Sequence, residues 1–248
     1  MWRIATIYYF YKMDVKTFLE EGAKHFLPHL SVDIVILGYQ DEVLKVLLQK
    51  IEDKWCLPGG YVGKNEAVSD AAIRVLEERT GLKQSYLQLF KVFGGADRSF
   101  SKQFKSILEK DGYPWHEDLW INQRYVTLAH YALVDIENVF PNSGVFSLAN
   151  EWFSLEGLPE MHMDHEAIVI ASKEQLKKDI TVSHISFKLL PETFTMPELQ
   201  RLHETILDKK LERSRFQKKM LSMEVFERLP KPKENAPRRK PYLYRYKD

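Results

Sequence analysis

The chain has 248 residues, 44% hydrophobic and 29% charged, which suits one or two globular domains of about 150 residues and excludes a disordered polymer. Its one cysteine, Cys56, excludes an intramolecular disulfide framework and a cysteine-based zinc site, and no apolar run approaches the length that spans a bilayer. The net charge of +1 conceals an asymmetry: from Asp208 to Asp248 there are 14 Lys and Arg against 6 Asp and Glu, or +8, leaving −7 on the other 207 residues. An acidic body with a basic end suggests a nucleic-acid or anionic-surface contact at that end; a solvated charged tail is the alternative, and apolar periodicity decides between them.

Ile4 to Tyr11 is apolar and aromatic, but Lys12 and Asp14 follow at once without a small-residue cleavage site. Residues 1–30 are therefore read as an extension with a helix, and the protein as cytoplasmic. Asp14 can cap a helix reaching Leu27, with Val15, Phe18, Leu19 and Phe26 inward. Val32 to Leu37 reads as a strand buried on both faces, Gly38 to Glu42 as a turn, and Val43 to Gln49 as its hairpin partner. Leu57-Pro58-Gly59-Gly60 reads as a loop. Ala67 to Thr80 is a helix with Ala71, Ala72, Val75 and Leu76 on one face, stopped by Gly81. Tyr86 to Val92, Tyr125 to Ile136 and Glu151 to Leu155 are strands. Residues 99–123 are too long for a hairpin loop and either fold separately or form a lid. A helix from His165 to Lys178 turns Ile168, Ala171 and Leu176 inward, and a domain boundary falls between Lys178 and Ser183.

Gly60 to Leu82 reads GYVGKNEAVSDAAIRVLEERTGL. A glycine pair before a helix lets backbone N–H groups approach a ligand, and the helix N-terminus adds a positive dipole end. Alone, this is also an ordinary strand-to-helix turn. The stretch resembles the Nudix box, G-x5-E-x7-R-E-U-x-E-E-x-G-U with U aliphatic, through Gly60, Glu66, Arg74, Leu76, Glu78, Gly81 and Leu82. The resemblance implies an α/β/α sandwich around a mixed sheet. In Nudix enzymes, glutamates at i, i+3 and i+4 of the box helix hold the divalent metal. Those positions are Val75, Glu78 and Arg79 here. Val75 has no ligand atom, and Arg79 places a cation where the metal charge belongs. The expectation is therefore binding without cleavage, with no catalytic residues, no metal and no cofactor. Arg79 either faces ligand oxygens or pairs with Glu78 or Glu66.

Gly59, Gly60, Arg74, Glu78 and Arg79 are the expected effector contacts on the box, joined by Arg98 and Arg124 from the strands that flank residues 99–123. A surface ion pair with Asp97 is the alternative for either of these two arginines. Tyr113, Trp115, His116, Glu117, Asp118 and Trp120 suit either a sugar site or an apolar anchor. His162, Asp164 and His165 have metal-like chemistry, but Pro159 and the short loop favour Asp164 as a cap for the next helix.

Phe194-Thr195-Met196-Pro197-Glu198-Leu199 carries a capping box in Thr195 and Glu198, a proline in the first turn and a Phe194–Leu199 staple. Leu199, Leu202 and Ile206 form the inward stripe. After a polar turn, a second helix from Glu212 to Leu221 turns Phe216, Met220 and Leu221 inward. Its outer face carries Arg213, Ser214, Arg215, Gln217, Lys218 and Lys219. Two β-like stretches, Val225 to Leu229 and Tyr242 to Tyr246, follow, connected through Lys231, Lys233, Arg238, Arg239 and Lys240. A helix-turn-helix with a basic second helix and then a basic hairpin is the pattern of a winged helix that reads duplex DNA. An all-helical oligomerisation module is the alternative.

A Nudix-like domain joined to this end resembles the Nudix-related transcriptional regulators, through Met163-Asp164-His165, Leu189 to Thr195, and Arg213 to Lys219. The resemblance covers roughly Ser31 to Tyr246, without residues 99–123. It implies a sensing domain at 31–178, a DNA-binding domain at 179–248, and a homodimer on operator DNA. The implied effector is a sugar, a sugar phosphate or ADP-ribose. A Nudix hydrolase acting on a nucleoside-diphosphate derivative is the competing reading, and an RNA-binding module a third.

Overall fold

The structure is a computed structural model and describes residues 14–83, 85–142, 146–230 and 241–247. Ile4 to Tyr11 and the connection bearing Lys231, Lys233, Arg238, Arg239 and Lys240 lie outside these residues. Helix α1 (Val15–His25) starts as expected: the Asp14 carboxylate accepts the Thr17 N–H at 3.0 Å. It stops at His25 because Phe26 already belongs to the 15-residue strand β1 (Phe26–Gln40).

Strand β1 is the axis of a seven-stranded mixed sheet. It pairs antiparallel with β2 (Val43–Ile51) and β4 (Gly59–Gly63), and parallel with β6 (Val126–Leu133). Strands β3 (Lys54–Cys56) and β7 (Ala149–Ser154) pair with β2, and β5 (Tyr86–Phe93) pairs antiparallel with β6. Side chains alternate along a strand. Val32, Ile34 and Ile36 therefore enter one core with Ala71, Ala72, Val75 and Leu76 of α2 (Val68–Thr80). Val35 and Leu37 enter the opposite core with Ile168, Val169 and Leu176 of α4 (His165–Val182). This is the expected sandwich, and it explains why Val32 to Leu37 is apolar on both faces.

Two local expectations are corrected. Gly59 and Gly60 lie in β4, opposite Asp33 and Val32 of β1, rather than in a loop. A Cβ at Gly59 would meet the Asp33 carboxylate and, at 2.8 Å, the Val32 carbonyl; one at Gly60 would lie 2.6 Å from Val75 Cγ2. The glycines answer to close packing of strand and helix rather than to a turn. On α4, Ala171 is only half-buried and Ser172 is fully buried instead. Residues 99–123 do not fold alone: α3 (Ser101–Lys110) and a short 3-10 turn (Trp120–Asn122) pack on α1 through Leu19, Phe104, Leu108 and Ile121.

The C-terminal part holds β8 (Phe194–Thr195), α5 (Met196–Leu207), α6 (Arg213–Ser222), β9 (Phe226–Arg228) and β10 (Leu243–Tyr246). Both hydrogen bonds of the Thr195–Glu198 capping box form. Leu199, Leu202, Ile206, Phe216, Met220 and Tyr244 share one core, whereas Leu221 is 40% exposed, contrary to expectation. The antiparallel order β8-β10-β9 builds the wing. The two parts touch through ion pairs from Asp208 to Lys173 (3.0 Å) and Lys177 (2.9 Å), and from Arg201 to Glu42 (2.8 Å).

Candidate functional site

A cavity of about 370 Å³ opens beside the box helix, within the size range of small-molecule sites. Its floor is the sheet, at Asp33, Gln49 and Cys56. One wall is α2 with β4, at Gly59, Gly60, Tyr61, Arg74, Glu78 and Arg79. The opposite wall comes from Phe18 of α1, Phe100, Phe104, Ile121 and Tyr125, with Met163 and His165 at the head of α4. The segment 99–123 is thus part of the wall. Phe18 lies 5.9 Å from Tyr61, and Tyr61 lies 5.1 Å from Tyr125, ring centre to ring centre, so one end of the cavity is aromatic. Such rings offer apolar faces to a planar base or a sugar.

The expected effector residues divide by how their donors are used. The buried guanidinium of Arg74 reaches Glu66 at 2.6 and 3.1 Å, Glu78 at 3.2 Å and the Tyr61 carbonyl at 2.8 Å. Burial, the largest single influence, lowers its pKa, but Glu66 and Glu78 together outweigh it and raise the pKa. Glu66 also accepts the Gly63 N–H at 2.6 Å. Arg74 therefore braces the box and borders the cavity as structure. Arg79 donates to the Gly59 carbonyl at 3.1 Å, so its position on the cavity wall is fixed through β4. Arg98 is buried and donates to Asp33, to Asp164 at 3.0 Å and to the Tyr125 carbonyl at 3.3 Å. These partners differ from Asp97, the alternative to a ligand contact. Arg124 is corrected: it is exposed, donates to the Gly94 carbonyl at 2.7 Å, and does not line the cavity.

The His162-Asp164-His165 cluster is built differently from the expected cap. Asp164 precedes α4, but its carboxylate makes no capping hydrogen bond and turns to Arg98. His162 meets the Ile51 carbonyl at 2.9 Å through Nε2. The Leu57 N–H donates to His165 Nδ1 at 2.8 Å, and burial pushes the His165 pKa down. The imidazole is therefore neutral, with its hydrogen on Nε2. The aromatic run of residues 113–120 is the apolar anchor: Trp120 stacks on Phe26 at 5.3 Å and donates to the Phe18 carbonyl at 2.9 Å, while His116, Glu117 and Asp118 are exposed.

A divalent cation does not fit the box helix. Val75 is fully buried in the α2 core, Arg79 is a cation, and Glu66 and Glu78 are bound to Arg74. Among the described residues, no group of three or more His, Cys, Asp or Glu is placed to hold a metal ion. Sequence reading missed Asp33, Gln49, Tyr61 and Tyr125. Only Asp33 had a signal, as one carboxylate inside an apolar run, which a buried strand tolerates only with a partner.

On the winged helix, Arg213, Ser214, Arg215, Lys218 and Lys219 are exposed together on α6, and Gln217 is half-buried beside them. The Glu212 carboxylate caps α6 by accepting the Ser214 and Arg215 N–H groups at 2.8 and 2.6 Å, which lowers its pKa. In the wing, the Arg228 guanidinium lies 3.4 Å over the Tyr242 ring.

Residues 27–172 match the model of the NUDIX domain, which is more than half of the chain. The chain belongs to the Nudix family. Residues 186–246 match the NrtR DNA-binding winged helix domain. The chain is 26% identical over 228 residues to the ADPR responsive transcriptional repressor NtrR of Acinetobacter baylyi, covering 88% of this chain and 82% of that protein. Two solved structures share the fold. Shewanella oneidensis NrtR, complexed with a 27mer DNA, has 24% identity and a TM-score of 0.69 over 88% of this chain and 93% of that one. A MutT/nudix family protein from Enterococcus faecalis has 22% identity and a TM-score of 0.66 over 99% and 98%. The Nudix fold and the winged helix are thus the architecture expected from the box and the capped basic helices. No helix among the described residues is long and apolar enough to cross a membrane.

Proposed function

We propose that this protein is a transcriptional repressor that binds operator DNA through its winged helix and senses ADP-ribose, or a related sugar nucleotide, in the Nudix cavity without hydrolysing it. The observation that carries this reading is the box helix. Its metal face is Val75, a glutamate engaged by Arg74, and Arg79, so the cavity is equipped to hold a ligand but lacks ligands for Mg²⁺-assisted attack. The similarity to an ADP-ribose-responsive repressor along most of the chain supports the choice of effector. Gly59, Gly60, Arg79 and Arg98 contact the effector, Arg74 and Glu78 brace that wall, and the exposed cations of α6 contact DNA. Lys231, Lys233, Arg238, Arg239 and Lys240 contact phosphates. The junction lies where α4 ends, beside Ser183, and the protein works in the cytoplasm as a homodimer on a two-fold operator.

The test is fluorescence anisotropy with a duplex from the protein's own upstream region, titrated with salt and then with ADP-ribose. Binding should weaken steeply with salt and change on adding ADP-ribose, with no ADP-ribose consumed in the presence of Mg²⁺. Turnover at ordinary enzyme rates would restore the hydrolase reading. A preference for single strands would favour the RNA-binding one.

A further inference from the structure

Asp164 precedes the helix that leads to the winged helix, between Met163 and His165, which line the cavity. It occupies the N-cap position of α4, yet its side chain makes no capping hydrogen bond, and its backbone (φ −96°, ψ 13°) has to turn to the extended region before it can. A carboxylate at an N-cap ordinarily accepts the N–H of the second or third helical residue, and it is among the best capping groups. Here it is held by Arg98 Nε at 3.0 Å. Arg98 lines the cavity and has two further partners, Asp33 and the Tyr125 carbonyl. Its two carboxylates are not equivalent. The Asp33 side chain is 10% exposed, whereas that of Asp164 is 29% exposed. Asp164, the more solvated of the two, loses less than Asp33 if it gives up Arg98 to an entering anionic oxygen.

We propose that Asp164 is a two-position relay: it pairs with Arg98 when the cavity is empty and caps α4 when a ligand phosphate takes its place on Arg98. The inference rests on the sensing function proposed above, and the ligand class it names is a phosphate-bearing one. The other end of the relay is already built. Lys173 and Lys177 of α4 grip Asp208 at the C-terminus of α5, and Tyr131 donates to Asp179 of α4 at 2.6 Å. A change in how α4 begins is thus carried by one continuous helix to the base of the DNA-binding unit. The two states differ by named contacts, which is what a ligand needs in order to shift an equilibrium.

The test compares wild type, Asp164→Ser and Asp164→Ala in the full-length protein, using ADP-ribose as the ligand. Two quantities are read: ADP-ribose affinity by calorimetry, and the ratio of DNA affinities with and without ADP-ribose. Wild type should show a ratio of about 5–150-fold, the usual range of such coupling. Serine caps but cannot pair with Arg98, so Asp164→Ser should bind ADP-ribose more tightly. Its DNA affinity without ligand should equal that of ligand-bound wild type, at a ratio near 1. Alanine should also bind ADP-ribose more tightly and lose the ratio. Hydrogen exchange on wild type keeps the test independent of variant folding: amides of residues 166 and 167 should gain protection with ADP-ribose. A wild-type ratio retained in both variants, or unchanged exchange despite bound ADP-ribose, overturns the relay alone. Wild type that does not respond to ADP-ribose overturns the functional reading and the relay together.

Discussion

Arg74 is expected as a ligand contact, yet its guanidinium is bound by Glu66 and Glu78, and replacing it by leucine separates the two roles. Its side chain is 6% exposed, and those of Glu66 and Glu78 are 14% and 17%. Arg74→Leu leaves two carboxylates facing each other across an almost closed wall, and orphans the Tyr61 carbonyl that Arg74 meets at 2.8 Å. Breaking a buried ion pair from one side costs about 3–5 kcal/mol, a large share of a net stability of about 5–15 kcal/mol. At about 2–4 °C per kcal/mol for domains of this size, the midpoint should fall by about 6–20 °C. Urea unfolding followed by tryptophan fluorescence should show the same loss. Most of it should return in the triple variant Arg74→Leu, Glu66→Gln, Glu78→Gln, which removes the stranded charges. Arg74→Lys should recover little, because one ammonium cannot replace a fork that serves two carboxylates and a carbonyl. If Arg74→Leu loses less than about 1 kcal/mol, the level of an exposed pair, the bracing role is wrong and Arg74 returns to the ligand-contact set.

Further outcomes follow from the winged helix. Burial lowers the His203 pKa to about 4, and His203 shares a 2.8 Å hydrogen bond with Ser186 and packs on Phe216 of α6. The unfolded chain takes up this proton below about 6.5. The contribution of neutral His203 is therefore complete above that pH and is lost as pH falls towards 4. It amounts to roughly 3 kcal/mol, and His203→Gln should flatten thermal-unfolding midpoints across that window. Arg215→Ala should weaken specific DNA binding by about 1–3 kcal/mol if Arg215 reads a base, measured by anisotropy on operator and scrambled duplexes; an equal loss on both would reassign it to phosphate. Glu212→Ser keeps the cap of α6 but removes a negative charge beside Arg213 and Arg215. It should raise affinity for scrambled duplex at low salt with an unchanged midpoint, and a fall in affinity would show that Glu212 itself positions α6 on DNA.

The winged helix was legible almost residue by residue, since its determinants are local. Thr195 and Glu198 are three positions apart and make both bonds of their box. The Phe216 and Met220 spacing fixes which face of α6 is buried, and hence that the arginines and lysines face outward. The two-sided burial of β1 was equally plain from its unbroken apolar run. Leu221 misled because the helix face narrows at its last turn, where it meets solvent before the wing begins.

The site was legible in residue type but not in pairing, and the reason is distance along the chain. Arg98 finds Asp33 and Asp164 across 65 and 66 residues, and no spacing rule reaches that far. The box itself gave a false lead of another kind. Its arginine matches the family pattern, and a matched cation beside a cavity invites the reading of a ligand contact. Yet the same pattern supplies Glu66 and Glu78, and in a wall this dry each carboxylate needs a cation before any ligand arrives. Charge balance within the motif was therefore available from the sequence, and it assigns Arg74 to the protein's own carboxylates. Asp33 sits alone among Val32, Ile34, Val35 and Ile36, each fully buried. A buried carboxylate there requires a cation from elsewhere, and Arg98 is the one the fold delivers. Of the three arginines on the cavity wall among the described residues, two are thus held by carboxylates, and Arg98, whose partner Asp164 is the most solvated of these at 29%, is where an incoming phosphate can exchange one anion for another.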